Sequence, residues 1–344
     1  MLALITREKR VAIAEAQFRA AQHRAAESLL RLAFETERAW IRTVAAKETI
    51  SYLSQAQTAS DASSDLAKEL GRTGAFNKAA QAREHAVFAE ITGQLSEARI
   101  SERSAREELN RLMGAWGDDI SYKLPGALPR LPAKTRVSVG IEREALQKRV
   151  DLLIAKYDLE AVARQHKLTD ATRYLTDLGV LGGLEVEKPD GEPASIGTRV
   201  ELDIAIPIFD SGKARLRKAE FAYMLAANKL AEKAVNIRSE ARGAYDKYKS
   251  TYELARHYRD KVVPLRETIK QEVLLEYNGM ISSTFELLAD TRAATGALLM
   301  SVNAKQSFWL AEVDLRSAIH GGFSGGAGSG GAGVALADAG GGGH

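Results

Sequence analysis

The most constraining feature of this sequence is a long stretch that contains neither proline nor glycine. It covers residues 4–70, and alanine, leucine, glutamate and arginine dominate it. The composition predicts a single α-helix, which at about 1.5 Å per residue would be roughly 100 Å long. A helix of this length cannot form the core of a compact globule, so it must pair with other helices along its length. The apolar positions that fit a coiled-coil spacing are Ala25, Leu29, Leu32, Ala39, Ile50 and Leu53.

Glycines and prolines divide the rest of the chain into further helical segments. Gly71 and Gly74 end the first helix, because glycine readily adopts the left-handed conformation found at helix ends. An extended, proline-stiffened connector with the sequence LPGALPRLP follows the second helix. Pro264 lies inside the second long helix and is expected to kink it or to leave one backbone hydrogen bond unmade. The remaining helices are predicted over residues 76–113, 142–166, 213–275 and 282–319.

A β-hairpin is predicted at about residues 175–209. In its second strand the apolar Val200, Leu202, Ile204, Ile206 and Ile208 alternate with Arg199, Glu201, Asp203 and Ala205. A segment with similar alternation precedes this strand, and a polar loop joins the two. A strand of about ten residues with one apolar and one polar face is typical of a membrane barrel with a wet lumen. We therefore interpret the three charged residues as lumen-lining; the alternative is the edge strand of a soluble sheet.

The chain contains an internal repeat with an offset of 205 residues. Glu35, Trp40 and Gly74 correspond to Glu240, Tyr245 and Gly279. Shared spacing between landmarks of different chemistry indicates a duplicated unit of long helix, glycine turn and shorter helix. We predict a first repeat without strands at 1–115, a proline-rich linker at 116–140, and a second repeat with the hairpin at 141–320. The glycine-rich tail at 321–344 is expected to be disordered.

The composition argues against several functional classes. A net charge of +3, with no run of basic residues interleaved with aromatic ones, gives no reason to expect a nucleic-acid partner. The chain has no cysteine, its six histidines are scattered, and no paired carboxylates, catalytic triad or phosphate loop lies in a suitable context. We predict no metal, no cofactor and no enzymatic activity. No stretch reaches eighteen apolar residues, so the sequence predicts no membrane-spanning helix. The N-terminus does not have the pattern of a signal peptide.

Five segments of the chain resemble the TolC family of outer-membrane efflux channels. They are VELDIAIPIFDSGKA at the strand-to-helix junction, EARGAY in the second long helix, YNGMISSTFELLADTR at the second turn, LPGALPRLP between the repeats, and GAFNKAAQARE at the first turn. The match covers roughly residues 4–320. It implies a mainly α fold of long antiparallel coiled-coil helices, in which a periplasmic α-barrel adjoins a trimeric membrane β-barrel.

The resemblance also implies partners and a location. The chain would form a homotrimer in the lipid of the cell outer membrane, with its helical portion in the periplasm. It would dock to a periplasmic adaptor protein and, through it, to an inner-membrane pump, as a passive conduit for solutes. Three chains with one hairpin each would supply fewer strands than the smallest barrels of about eight. We therefore expect a fragment or a chain with a misplaced start.

Functional residues follow from the motifs that match the family. The segment ELLADTR resembles an acidic segment that lines the periplasmic aperture, which makes Glu286 and Asp290 the candidates for a carboxylate ring. The alternative for both is an ordinary solvated helix face. The two turns are candidates for adaptor docking, although plain helix termination would need the same glycines. The residues named for docking are Arg72, Gly74, Asn77, Asn278, Gly279 and Ser282.

The leading hypothesis is thus the channel component of a tripartite efflux or export system. The alternative is a soluble periplasmic coiled-coil protein with a structural or adaptor role. The internal repeat and the alternating strands favour the channel.

Overall fold

The computed structural model describes residues 5–74, 76–136, 140–172, 177–187, 195–205, 212–279 and 281–322. Its helices are α1 Arg7–Arg72, α2 Lys78–Met113, α3 Ile141–Lys148, α4 Val150–Ala171, α5 Lys213–His257, α6 Val263–Asn278 and α7 Thr284–His320. The strands are β1 Asp177–Glu187 and β2 Ser195–Ala205, and a 3-10 turn spans Gly117–Ile120. The tail predicted to be disordered lies outside the described residues from position 323 onward.

Helix α1 confirms the prediction of one long uninterrupted helix. It has 66 residues and is therefore about 100 Å long. Ala39 and Leu53 are buried as expected, but the predicted seam positions Leu29 and Leu32 are 68% and 44% exposed in the chain. Ala25 is exposed as well, so these three positions do not pack within the single chain. In this part of the chain α1 packs against α4, and alanines such as Ala20, which is fully buried, allow the close approach.

The helix predicted over residues 142–166 is in fact two helices that meet at Arg149. This residue has extended backbone angles, φ −67° and ψ 120°, and separates α3 from α4. Its guanidinium is buried and donates two hydrogen bonds of 2.9 Å to Asp151. It also donates to Glu240 on α5 and to the carbonyl of Ala318 on α7. Tertiary ion pairing thus stabilises a break that no local breaker residue indicates.

The second long helix is interrupted before its proline rather than at it. Helix α5 ends at His257, a π-helical turn spans Tyr258–Val262, and Pro264 lies in the first turn of α6. A π turn shifts the hydrogen-bond pattern by one residue, next to the position where proline lacks its N–H. The kink or unmade hydrogen bond at Pro264 stays a prediction.

The predicted hairpin is present. Strands β1 and β2 pair antiparallel, from Asp177 opposite Ala205 at the base to Glu187 opposite Ser195. The register places Arg199 opposite Gly183 and Glu201 opposite Leu181. Separately, among the helices that the structure describes, none is long and apolar enough to cross a membrane.

The core lies where the helices cross the proline-rich connector. Phe308 on α7 is fully buried against Tyr248 and Tyr252 on α5. The hydroxyl of Tyr252 donates to the Pro132 carbonyl, and the Trp309 indole N–H donates to the Pro129 carbonyl. The extended connector is thus held against the helices by bonds to its backbone, as its lack of regular structure requires.

The helices recur at a nearly constant offset. Helix α1 begins at residue 7 and α5 at residue 213, while α1 ends at residue 72 and α6 at residue 278. Both offsets are 206 residues, close to the 205 estimated from the sequence. In each case a turn and a shorter helix follow, α2 in the first half and α7 in the second. The division into repeats with their stated boundaries stays a prediction.

Candidate functional site

The two predicted turns lie at the same end of the helical body. The α1–α2 hairpin and the α6–α7 hairpin run side by side, and a cavity of about 460 Å³ near the turns is lined by residues from all four helices. Arg292 on α7 donates a hydrogen bond of 2.7 Å to Glu84 on α2. The structure therefore brings together two segments that the sequence separates by about 200 residues.

The first turn has a backbone that its sequence explains. Gly74 has φ +80°, a conformation that favours glycine. Asn77 caps α2, because its side chain accepts a hydrogen bond of 2.8 Å from the Ala80 N–H. Arg72 is exposed and pairs with Glu69 at 2.7 Å. At Gly71 a Cβ would lie 2.1 Å from the end of the Gln81 side chain, a flexible group that can move aside.

The second turn differs in its glycine. Gly279 has φ −80°, so it does not use the left-handed conformation expected of a glycine at a helix end. A Cβ at this position would meet its neighbours at 3.5 Å, an ordinary contact distance. Helix α6 nevertheless ends beside it, at Asn278. The turn therefore tolerates a side chain at position 279, in contrast to position 74.

The candidate aperture residues lie in the first turns of α7. Glu286 is exposed, and its carboxylate accepts a hydrogen bond of 2.9 Å from the Ser282 hydroxyl. Ser283 caps the helix by accepting a bond of 3.3 Å from the Glu286 N–H. Asp290 follows four residues later on the same helix face and is half-buried. A carboxylate at a helix N-terminus is also favoured by the macrodipole, so helix stability alone would account for Glu286.

The candidate lumen residues lie at the opposite end of the molecule. Arg199 and Glu201 on β2 are exposed, with 4.0 Å between their charged groups. Asp203 belongs to the same strand, but its side chain lies outside the described residues. The structure therefore separates these three residues from the turns by the length of α5 and α6.

Sequence reasoning missed a set of buried ion pairs that tie α1 and α2 to α7. Glu84 is 2% exposed and accepts bonds from Ser63 on α1 and Arg292 on α7, at 2.8 and 2.7 Å. Glu48 on α1 accepts from Lys305 at 2.7 Å and from the Leu128 N–H at 2.8 Å. In the sequence, an acidic residue on the packed face of a long helix was the signal that could have indicated such a pair. The basic partners could not be identified, because they lie about 200 residues away or more.

Arg38 contributes a third such tie, to Asp314 at 2.9 Å. Asp314 also accepts a hydrogen bond from Lys247 of α5 at 2.9 Å. Its carboxylate therefore links α7 to both long helices. In the part of the chain that the structure describes, no group of three or more metal-ligating side chains comes together.

Asn77 offers a direct test of the first turn. Replacement with alanine removes the cap of α2 and is expected to lower the free energy of unfolding by about 1 kcal/mol. Replacement with aspartate keeps an oxygen acceptor and should change stability much less. Chemical denaturation followed by circular dichroism measures both. Equal destabilisation by the two variants would show that the side chain acts through something other than its cap.

Comparison with solved structures identifies the fold. The chain matches the Campylobacter jejuni CmeC outer membrane channel with a TM-score of 0.78 and 19% identity, over 92% of this chain and 68% of that one. It matches a membrane protein from Pseudomonas aeruginosa with a TM-score of 0.80 and 17% identity, over 92% and 72% of the two chains. It matches the outer membrane protein VceC from Vibrio cholerae with a TM-score of 0.76 and 18% identity, over 92% and 76%.

No family model and no curated protein sequence matches the chain. The structural similarity nevertheless extends over nearly the whole chain, so the chain has the fold of TolC-family outer-membrane channels. The fold predicted from the sequence resemblance is thereby confirmed.

Proposed function

We propose that this chain is a protomer of a TolC-family outer-membrane channel and serves as the passive conduit of a tripartite efflux system. The observation that carries the proposal is the layout of the molecule. One end carries a hairpin of two 11-residue strands, the other carries two helix turns, and helices about 100 Å long connect them. Strands of about 9–11 residues are long enough to cross a bilayer when tilted. This hairpin favours a channel over a soluble coiled-coil adaptor.

The proposed assembly is a homotrimer. The long helices expose large apolar side chains along their length, among them Leu29, Leu265 and Leu275 at 68%, 62% and 63%. Side chains of this kind indicate a surface that another chain covers. Further copies placed around a threefold axis would bury them and enclose a lumen.

In this assembly the hairpin lies in the outer membrane and the helices lie in the periplasm. The turns then point away from the outer membrane, where an adaptor protein and its inner-membrane pump would reach them. We assign adaptor docking to the exposed parts of the turns, with Arg72 and Ser282 as polar contacts. Gly74 and Asn77 shape the first turn and act on docking through its conformation.

The proposed selectivity of the pore comes from Glu286 and Asp290. Two carboxylates from each of three copies would meet around one axis at the turn end. A ring of acidic side chains favours cations and resists anions. Transport through it needs no covalent chemistry.

Conductance measurements test this assignment. The full chain is purified, reconstituted in planar bilayers and compared with the double variant Glu286→Gln/Asp290→Asn. The expected result is a cation-selective pore whose ratio of potassium to chloride permeability falls by roughly threefold or more in the variant. The matched control is Asp246→Asn/Glu253→Gln, which removes two exposed carboxylates from α5.

The control should keep the permeability ratio of the unmodified chain. Equal loss of selectivity in both double variants would contradict the assignment of the ring. Three copies with one hairpin each supply six strands, fewer than the smallest barrels of about eight, so the absence of any conductance would contradict a pore made by this chain alone and would leave its fold unaffected.

A further inference from the structure

Positive charge is concentrated at the end of the helical body that adjoins the hairpin. The segment REKR at residues 7–10 has three basic residues and one acidic residue, and KARLRK at residues 213–218 has four basic residues and no acidic one. These ten residues have a net charge of +6, whereas the whole chain has +3. The rest of the chain is therefore net negative, and the basic excess is local.

Helix α4 brings the two basic segments to the same end. It runs antiparallel to α1, because Arg164 donates to the Ala12 carbonyl while Tyr157 stacks on His23 with ring centroids 5.3 Å apart. The end of α4 and the start of α5 both lead to the base of the hairpin, where Asp177 pairs with Ala205. The starts of α1 and α5 therefore both lie beside the end of α4.

We define the basic collar as six of the seven exposed cations of these segments: Arg7, Lys9, Arg10, Lys213, Arg217 and Lys218. Helix stability does not account for them, since the N-terminal end of a helix macrodipole is positive and disfavours cations. The first turn of α5 contains no acidic residue. Such a surface fits an anionic partner.

Apolar side chains lie close to these cations. Ile5 is 70% exposed, Val11 is 47% exposed and Phe221 is 67% exposed. Cations mixed with exposed apolar and aromatic groups are typical of protein surfaces in the headgroup region of a bilayer. The hairpin supplies the third observation, because it lies in the chain between the end of α4 and the start of α5 and its strands are long enough to enter the hydrocarbon layer.

We propose that the basic collar binds the phosphate headgroups of anionic phospholipids in the membrane leaflet that faces the helical body. The inference rests on the proposed function, which places the hairpin in the membrane. The collar then lies at the depth where the strands leave the lipid, and its charge fixes the height of the channel in the bilayer.

Vesicle flotation with the full chain tests the proposal. The variant Lys213→Gln/Arg217→Gln/Lys218→Gln is compared with the unmodified chain on vesicles of phosphatidylcholine and of phosphatidylcholine mixed with phosphatidylglycerol. Each cation near an anionic surface changes binding by roughly fivefold, so the preference for the phosphatidylglycerol vesicles should fall roughly 100-fold at low salt. The matched control is Arg238→Gln/Lys249→Gln/Lys261→Gln, which removes three exposed cations farther along the same long helix.

Five outcomes separate the alternatives. A loss of preference in the collar variant alone supports the proposal. An unchanged preference in the collar variant, or an equal loss in the control, overturns it and leaves the channel proposal standing. Displacement by millimolar inorganic phosphate would assign the collar to free phosphate and overturn the lipid assignment. Failure of the unmodified chain to bind either kind of vesicle overturns both the collar and the membrane location.

Discussion

Replacement of Phe308 with alanine is expected to lower the free energy of unfolding by about 3–5 kcal/mol. The ring is fully buried between α5 and α7, and its centroid lies 5.4 Å from that of Tyr248 and 5.5 Å from that of Tyr252. The substitution leaves a cavity among aromatic side chains that hold the connector, so the site cannot collapse easily. Chemical denaturation followed by circular dichroism measures the loss.

The control for this experiment is the same substitution at Phe221. This ring is 67% exposed, so its removal should change the free energy of unfolding by less than about 0.5 kcal/mol. Similar destabilisation by the two variants would contradict the assignment of the core to the α5–α7 seam.

Replacement of Arg149 with methionine should cost a similar amount, about 3–5 kcal/mol at neutral pH. The substitution leaves the Asp151 carboxylate, whose residue is 5% exposed, without its main partner. It also removes the ion pair to Glu240 and the hydrogen bond to the Ala318 carbonyl, which hold the break between α3 and α4 against α5 and α7. A denaturation series measured against pH checks the prediction.

The pH dependence of this effect follows from Asp151. Burial alone would raise the pKa of its carboxyl, but hydrogen bonds and charge from Arg149, with help from Lys233, hold that pKa below its ordinary value. A lowered pKa contributes stability that is present above the unfolded value of about 3.9 and is lost as the pH falls through the folded value. The difference in stability between the unmodified chain and the variant should therefore be largest at neutral pH. It should shrink as the pH falls, first because the unpaired, buried carboxyl of the variant takes up a proton, and then, below about pH 4, because the paired carboxyl of the unmodified chain loses its contribution.

A double variant, Arg149→Met/Asp151→Leu, provides the control. It removes the buried charge that the single variant leaves unpaired, so it should recover most of the lost stability. Glu240, whose side chain is 33% exposed, can then be solvated. A double variant no more stable than the single one would show that the cost arises from the backbone break rather than from the buried carboxylate.

Most of the fold could be predicted from local patterns. The absence of proline and glycine predicted α1, and strict alternation predicted the hairpin. Gly71 and Gly74 marked the first turn, and Gly74 has the left-handed conformation that glycine favours at helix ends. The break at Arg149 could not be predicted in this way, since the surrounding residues are acceptable in a helix and the break depends on partners in α5 and α7.

The sequence predicted the two turns of the candidate site but not that they lie together. The sequence indicated both turns as separate docking segments, and the structure places them at one end of the helical body. The pair of Glu84 and Arg292 joins residues 208 positions apart, and the two segments of the basic collar are separated by a similar distance. Neither the ion pair nor the collar could be recognised from the sequence alone. A charged residue on a helix surface does not indicate which distant residue will lie beside it.

The central claim is that the chain forms a channel with the hairpin at one end and the turns at the other. Electron microscopy of the purified full chain in a membrane mimetic tests it most directly. The account predicts three copies around a threefold axis, with a continuous lumen along the helices and with Glu286 and Asp290 facing the axis at the turn end. A monomer, or an assembly in which the long helices enclose no lumen, would contradict it.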